Sequence, residues 1–119
     1  MATWATAGSA REERWREEAA FFDEVADRMG DEALPIDPLA LRRYSSPALR
    51  RRFNKEFRFR LMGDLRGKTV LDVGCGDGLN AVMLAKLGAR VTGVDVSPRA
   101  VALARRRAEV NGVSDRVTL

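Results

Sequence analysis

The sequence has 119 residues, of which 45% are hydrophobic and 32% charged, with no histidine, one cysteine and a net charge of +4. This composition is typical of one globular unit, and it excludes an internal disulfide, a histidine-dependent catalytic triad and a zinc site built from this chain alone. No stretch approaches the ~20 apolar residues that span a bilayer, and the N-terminus lacks the pattern of a secretion signal, so we expect a cytoplasmic protein without a membrane contact.

Charge is distributed unevenly along the chain. Residues 1–37 carry ten acidic and four basic side chains, whereas residues 38–68 carry ten basic and two acidic ones. The basic segment includes three consecutive arginines at 50–52, which are either a solvated helix face or a surface that meets nucleic-acid phosphates. Both interpretations remain open at this point.

The N-terminal third of the sequence predicts an amphipathic helix. Ser9 and Glu12 fit a capping box at its start, and Gly30 is a stop signal. Between them, apolar side chains recur at spacings of four and three; they are Trp15, Ala19, Phe22, Ala26 and Met29. We therefore expect one face of this helix to pack against the rest of the protein.

A second helix is predicted after a connector. Residues 31–40 contain Pro35 and Pro38 and are typical of a loop, after which Ser46 is a helix cap and Pro47 a first helical residue. Apolar positions follow at intervals of four residues, namely Leu49, Phe53, Phe57 and Leu61. Together the two helices form a predicted helical cap region, residues 1–66.

From Lys68 onward the pattern changes to alternating strands and helices. TVLDVG and RVTGVDV predict strands, LNAVMLAKLG predicts a helix ended by Gly88, and Ser97-Pro98 begins a further helix that closes at Asn111-Gly112. RVTL then begins a third strand. This order predicts an α/β fold with a parallel, Rossmann-like sheet.

Three glycines and two acids mark the carboxyl edge of this sheet, where ligands bind in such folds. Gly74, Gly76 and Gly78 follow the first strand and remove side chains that would hold a ligand away. Asp72 and Asp77 add negative charge there, which disfavours a pyrophosphate and favours a ligand with a positive centre.

A further acid ends the second strand. Asp95 lies 17 residues after Gly78, where a carboxylate accepts hydrogen bonds from both hydroxyls of a ribose. The sequence therefore predicts a site for a nucleoside that carries an amine or sulfonium. A dinucleotide site fits less well, because Leu79 stands where that pattern needs Gly or Ala and Asp72 stands where it usually has an apolar residue.

VLDVGCGDG followed by VTGVDVS resembles the first two motifs of class I S-adenosylmethionine-dependent methyltransferases. The resemblance covers residues 67–119 and implies S-adenosylmethionine as cofactor. It implies that the three glycines form the wall against the methionine part, that Asp72 orients the amino group and that Asp95 holds the ribose. It also implies that Cys75 contributes backbone, that Val96 touches adenine and that Asn80 begins the helix beneath. Cys75 and Asn80 have ordinary alternatives, a small residue that fits and a first-turn helix residue.

More loosely, residues 38–53 are similar to the segment ahead of the glycine loop in small-molecule methyltransferases of quinone biosynthesis. There a basic or aromatic side chain closes over the cofactor. Tyr44 and Arg50 are the two candidates for this role, each against an ordinary packing or solvated one.

The family's fold has seven strands, and by that pattern residues 67–119 are a cofactor-binding half that stops in the third strand. We therefore expect a fragment that is inactive alone, with no identifiable catalytic residue, and that associates with itself through its open sheet edge. The first functional hypothesis is a methyltransferase for a small-molecule acceptor. The alternatives are part of an RNA methyltransferase, or a non-enzymatic half-protein whose sheet is completed by a partner chain.

Overall fold

The computed structural model describes residues 3–45 and 54–119, with the backbone alone for residues 3–7 and 54–57. Its helices are α1 (Thr3–Asp27), α2 (Pro38–Ser45), α3 (Asn54–Met62), α4 (Leu79–Lys86) and α5 (Pro98–Val110), and its strands are β1 (Thr69–Val73), β2 (Arg90–Val94) and β3 (Val117–Thr118). A short 3₁₀ turn, Asp31–Ala33, follows α1.

The strand and helix pattern predicted from Lys68 onward is confirmed. All described strand pairs are parallel in the order β1-β2-β3, with Val70 opposite Val91 and Val91 opposite Val117. Ser97 caps α5 because its Oγ accepts a hydrogen bond from the Ala100 amide, and Pro98 takes the first helical position. The fold is therefore the expected Rossmann-like α/β arrangement.

One face of the sheet carries the core and the other faces outward. α4 packs against β2 and α5, and the buried cluster gathers residues from this side; its largest members include Phe59, Leu65, Met83, Leu84 and Val91. On the opposite face Leu71 and Val73 of β1 are 65% and 74% exposed. β1 is an edge strand within the described residues, as predicted.

The start of α1 differs from the prediction. The helix begins by Thr3, so Ser9 lies in its interior and the capping box with Glu12 is wrong. Alanines at 5, 7 and 10 favour helix on both sides of Ser9, and an exposed serine is tolerated there. The predicted apolar stripe is only partly buried, since Ala26 is 8% exposed and Trp15 53%.

The predicted connector contains a helix that the sequence did not indicate. Pro38 begins α2, and Asp37 caps it by accepting a hydrogen bond from the Leu39 amide at 3.0 Å. Proline there starts a helix rather than extending a loop, because its fixed φ suits the first helical position. The predicted helix start at Ser46 and Pro47 lies outside the described residues.

The apolar face of α3 also differs from the prediction. Leu61 is 72% exposed, whereas Phe59 is 5% exposed and joins the core. The spacing of four residues between Phe57 and Leu61 predicted that Leu61 lies on the buried face of α3. In the structure α3 packs with the Phe59 side toward the core instead. Leu49 and Phe53, and the side chain of Phe57, lie outside the described residues.

A buried arginine on α5 fastens the helical region to the sheet. Arg107 is 2% exposed, and its Nη1 donates to the Ala33 carbonyl at 2.6 Å. Its Nε donates to the Asp77 carbonyl at 2.9 Å, and its Nη2 lies 3.2 Å from Asp77 Oδ2. The loop after β1 and the turn after α1 are therefore held by one guanidinium.

Asn111, at the end of α5, makes a second connection to the same segment. Its Nδ2 donates to the Leu34 carbonyl at 2.9 Å, and its Oδ1 accepts from the Ile36 amide at 2.8 Å. Leu34 and Ile36 are both buried. The chain between α1 and α2 is thus fixed by polar contacts as well as apolar ones.

Candidate functional site

The loop after β1 opens onto a cavity through two of its glycines. Gly74 has φ +73° and Gly76 φ +52°, values that favour glycine. A Cβ built on either residue would meet no atom within 4 Å. The absent side chains therefore leave free space beside the backbone.

Gly78 serves a different purpose from the one that the resemblance implies. A Cβ at this position would lie 2.6 Å from Ala104 Cβ and 2.9 Å from Ala104 Cα. Gly78 is buried, with φ +77°, and lets α5 approach the loop. The structure thus places this glycine in helix packing rather than in the cavity wall.

Asp95 follows β2 and already has two backbone partners. Its Oδ2 accepts a hydrogen bond from the Gly76 amide at 2.8 Å, and its Oδ1 accepts from the Ser97 amide at 2.9 Å. The carboxylate is half-buried and lines the cavity. It therefore joins the ends of β1 and β2, and its remaining lone pairs face a ligand space.

Asp72 is the acid that lacks a full set of partners. Its Oδ2 is buried and has no hydrogen-bond partner among the residues that the structure describes. Burial, and then the nearby charge of Asp95, raise the pKa of this carboxyl above its ordinary value. A buried carboxylate oxygen without a donor is unfavourable in the fold. Asp72 does not line the cavity that Gly74, Gly76 and Asp95 border.

Asp77 does not contribute the free negative charge that the sequence suggested. Its carboxylate pairs with Arg107, and its Oδ1 accepts from the Leu79 amide at 3.1 Å at the start of α4. The guanidinium compensates the charge, so this part of the reasoning against a pyrophosphate is wrong. Asp72 and Asp95 remain as the acids near the glycines.

Cys75 and Asn80 fit their ordinary alternatives. Cys75 is 7% exposed, and a Cβ at Gly93 would lie 3.0 Å from its Sγ, so the two residues pack together. Burial raises the pKa of the thiol to about 11, and it stays neutral at pH 7. Asn80 is exposed in the first turn of α4 and does not line the cavity.

The cavity beside the glycines has a volume of about 500 Å³. Two carboxylates and several apolar side chains surround it; the lining residues are Glu18, Phe22, Val73, Gly74, Gly76, Val94, Asp95 and Val96. Val96, for which an adenine contact was expected, lines this cavity. Glu18 and Phe22 of α1 line it as well, and neither was predicted as a site residue. Phe22 does belong to the predicted apolar stripe of α1, and its side chain is 44% exposed.

Of the two proposed covering side chains, the structure describes only Tyr44, and Tyr44 does not lie at this cavity. The Tyr44 ring lies 4.5 Å from the Phe59 ring and packs against the core. Tyr44 is absent from the cavity lining, and Arg50 lies outside the described residues. A second cavity, of about 460 Å³, is lined by Leu87 and by the Asp64–Arg66 ion pair. It lies at the C-terminal end of α4, whereas the loop with the glycines lies at the N-terminal end of that helix.

Among the described side chains, those of residues 8–45 and 58–119, no cluster of three or more is suited to hold a metal ion. No helix within residues 3–45 and 54–119 is both long and apolar enough to cross a bilayer.

Comparison with known proteins connects this geometry to a family. Residues 70–119 match the family model described as a methyltransferase domain. Ribosomal protein L11 methyltransferase of Salmonella arizonae is 54% identical over 57 residues, and that of Escherichia coli is 53% identical over 57 residues. Each match covers 47% of this chain and 20% of the relative, so the chain matches about a fifth of the length of these curated relatives.

Two solved structures are similar over more of the chain. A SAM-dependent methyltransferase from Geobacter sulfurreducens in complex with S-adenosyl-L-homocysteine has 30% identity and a TM-score of 0.50, over 85% of this chain and 34% of that one. Geranyl diphosphate C-methyltransferase from Streptomyces coelicolor has a TM-score of 0.52 at 22% identity, over 87% of this chain and 45% of that one, and shows the fold alone. The two similarities cover 85% and 87% of this chain, whereas residues 67–119 are less than half of it. Both similarities therefore include part of the helical region.

Proposed function

We propose that the cavity at the glycine loop binds S-adenosylmethionine and that the chain is the cofactor-binding part of a methyltransferase. The proposal starts from the family, because residues 70–119 belong to the class I S-adenosylmethionine-dependent methyltransferases. The observation that carries the proposal is one cavity that is lined both by the open backbone of Gly74 and Gly76 and by the carboxylate of Asp95. This combination suits a ligand that approaches the backbone closely and offers hydroxyl donors to the acid.

Each part of the cofactor has a residue suited to hold it. Asp95 accepts hydrogen bonds from the ribose hydroxyls with the lone pairs that the backbone amides leave free. The amino group is assigned to Asp72 through the family resemblance, although the Asp72 side chain does not line this cavity. Gly74 and Gly76 admit the methionine part beside their backbone, and Val96 contacts adenine.

The cofactor supplies a methyl group on a sulfonium sulfur, ready for transfer to a nucleophile. The chain's own contribution is to bind and orient, because no described residue is placed as an acid or base toward an acceptor. Positioning of two reactants is itself a large part of the barrier reduction in such transfers. We assign no catalytic residue.

A small molecule is the proposed acceptor. Glu18 and Phe22 stand on one side of the cavity, so α1 restricts the approach to the cofactor and favours an acceptor of limited size. A protein acceptor is the second candidate, because the relatives with 53–54% identity are named for methylating a ribosomal protein. RNA is the third, supported by the exposed arginines of α2 and α3, such as Arg42 and Arg60.

Cofactor binding is tested by calorimetric titration of the chain with S-adenosylmethionine, S-adenosylhomocysteine and NAD⁺. We expect the first two to bind and NAD⁺ not to bind. Binding of NAD⁺ with no response to the other two ligands contradicts the proposal, since it returns the glycine loop to a dinucleotide role.

The acceptor class is tested on a complete methyltransferase that contains this chain as its cofactor-binding part, with a methyl-labelled cofactor and a cell extract separated into small-molecule, protein and RNA fractions. Label that appears in the small-molecule fraction supports the first candidate. Label confined to protein or to RNA replaces it with the corresponding alternative.

A further inference from the structure

The N-terminal helix α1 contributes a wall to the cofactor cavity. Phe22 and Glu18 lie one turn apart on α1, and both line the cavity opposite the residues that follow β1 and β2. Phe22 is 44% exposed, which leaves much of a large apolar ring uncovered beside a space of about 500 Å³. An aromatic face next to such a space is suited to cover a planar ligand group.

A hydrogen-bonded latch fixes this part of α1 at the site. Asp23, next to Phe22, accepts hydrogen bonds from Ser97 Oγ and from the Arg99 amide, and the bond from Ser97 lowers the pKa of its carboxyl. Ser97 is fully buried, and its own amide donates to Asp95. Asp23 is thus connected through one serine to the acid that we assign to the ribose.

Two ion pairs hold the same helix and the turn after it on α5. Arg99 pairs with Asp27, and Arg106 Nη2 lies 2.6 Å from Asp31 Oδ2. Both pairs are exposed and contribute little individually. The Asp23 contacts are therefore the hydrogen bonds that hold α1 on α5 next to Phe22.

We propose that Phe22 stacks on the base of the bound nucleoside and that Asp23 is the positioning residue that holds Phe22 there. This inference rests on the proposed binding of S-adenosylmethionine at the same cavity. Val96 and Phe22 line one cavity, so a purine that contacts Val96 occupies a space that Phe22 also borders. Stacking on an aromatic side chain is favourable for any purine face.

The first test compares two neighbouring phenylalanines. Phe22→Ala is expected to weaken the binding of S-adenosylmethionine about tenfold, and of adenosine by a similar factor, because the base is common to both. Phe22→Trp is expected to restore affinity. Phe21→Ala is the matched control, since Phe21 is 61% exposed and does not line the cavity, although its ring makes a T-shaped contact with that of Phe22.

The second test addresses the latch. Asp23→Ala is expected to weaken S-adenosylmethionine binding, and the double variant Phe22→Ala/Asp23→Ala is expected to bind no more weakly than Phe22→Ala, because both changes remove the same contact. Asp27→Ala is the control, since it breaks an exposed pair and leaves Asp23 bonded. Additive losses in the double variant contradict the positioning role.

The outcomes separate this inference from the proposed function. Wild-type and Phe21→Ala chains that bind S-adenosylmethionine, with a Phe22→Ala chain that binds within twofold of them, overturn the inference and leave the function standing. Failure of the folded wild-type chain to bind S-adenosylmethionine overturns both. Circular dichroism of each variant shows whether the helices remain.

Discussion

Arg107 and Asp77 form a buried ion pair between α5 and the glycine loop. Arg107 Nη2 lies 3.2 Å from Asp77 Oδ2, and the two side chains are 2% and 28% exposed. The same guanidinium donates to the Ala33 carbonyl, 74 residues away along the chain. The shape of the candidate site therefore depends on one arginine that does not touch it.

Replacement of Arg107 should destabilise the whole fold. Arg107→Met leaves the Asp77 carboxylate and the Ala33 carbonyl without a buried donor, so we expect the free energy of unfolding to fall by about 3 kcal/mol. Urea denaturation followed by circular dichroism measures the change. Arg106→Met, which breaks only an exposed pair with Asp31, should cost less than about 1 kcal/mol. Equal losses in the two variants contradict the role given to Arg107.

Asp95 is expected to dominate cofactor affinity. Asp95→Ala removes the acceptor for the ribose and should cost about 2–4 kcal/mol of S-adenosylmethionine binding by calorimetry. The change also leaves the Gly76 and Ser97 amides without their acceptor. Asp95→Asn, which retains one acceptor oxygen, separates the two effects. A folded Asp95→Ala chain with unchanged affinity removes the central assignment.

The loop glycines should divide into a binding one and a packing one. Gly76→Ala places a methyl group in open space with φ +52°, so we expect S-adenosylmethionine binding to be lost at a stability cost of about 1 kcal/mol. Gly78→Ala places it 2.6 Å from Ala104 Cβ and should destabilise the fold by about 3 kcal/mol or more. Thermal unfolding measures the stability of both variants, and calorimetry measures their binding of S-adenosylmethionine. A Gly76→Ala chain that is less stable than the Gly78→Ala chain contradicts the division into a binding and a packing glycine.

Asp72 should give a pH-dependent penalty in the fold without ligand. Its pKa is raised in the folded chain by burial and then by Asp95, so the folded state holds more protons and the free energy of unfolding falls as pH rises from 3.8 through the folded value. We expect Asp72→Asn to raise stability by about 1 kcal/mol at pH 7, with the gain vanishing below pH 3.8.

Asp72→Asn should also weaken the binding of S-adenosylmethionine, because the amino group of the cofactor loses a charged partner. Denaturation curves at several pH values, together with one titration, test both statements. A gain in stability that does not change with pH shows that the Asp72 charge is not its origin.

The sheet and its connecting helices could be predicted because their signals are local. Ser97 before Pro98 and Gly88 after α4 mark helix ends within a few residues, and the run from Thr69 to Val73 is a strand by composition alone. The family resemblance is confirmed by the match over residues 70–119. The site residues implied by it stay a prediction, although the structure brings Gly74, Gly76, Asp95 and Val96 to one cavity.

The rest depends on contacts between distant segments. Helical spacing puts Arg107, alone of the RRR at 105–107, on the same face of α5 as Ala100 and Ala104. The spacing does not reveal its partners, which lie at 33, 34 and 77. Phe22 and Glu18 enter the site because α1 docks on α5, where Asp23 meets Ser97. Spacing along the sequence identifies an apolar face but does not identify the surface to which that face docks.

The connections between the helical region and α5 also imply an order of assembly. Ser97, Arg107 and Asn111 reach residues 73–77 positions earlier in the chain, and all three lie in α5 or at its ends. Contacts that close such long loops form late, because chain entropy opposes them until local structure exists. We therefore expect α1 to dock after α5 has formed and to detach before the sheet unfolds. Amide exchange in α1 should then outpace that in β2, and on warming the cavity loses its Phe22 wall at temperatures where the sheet is still intact.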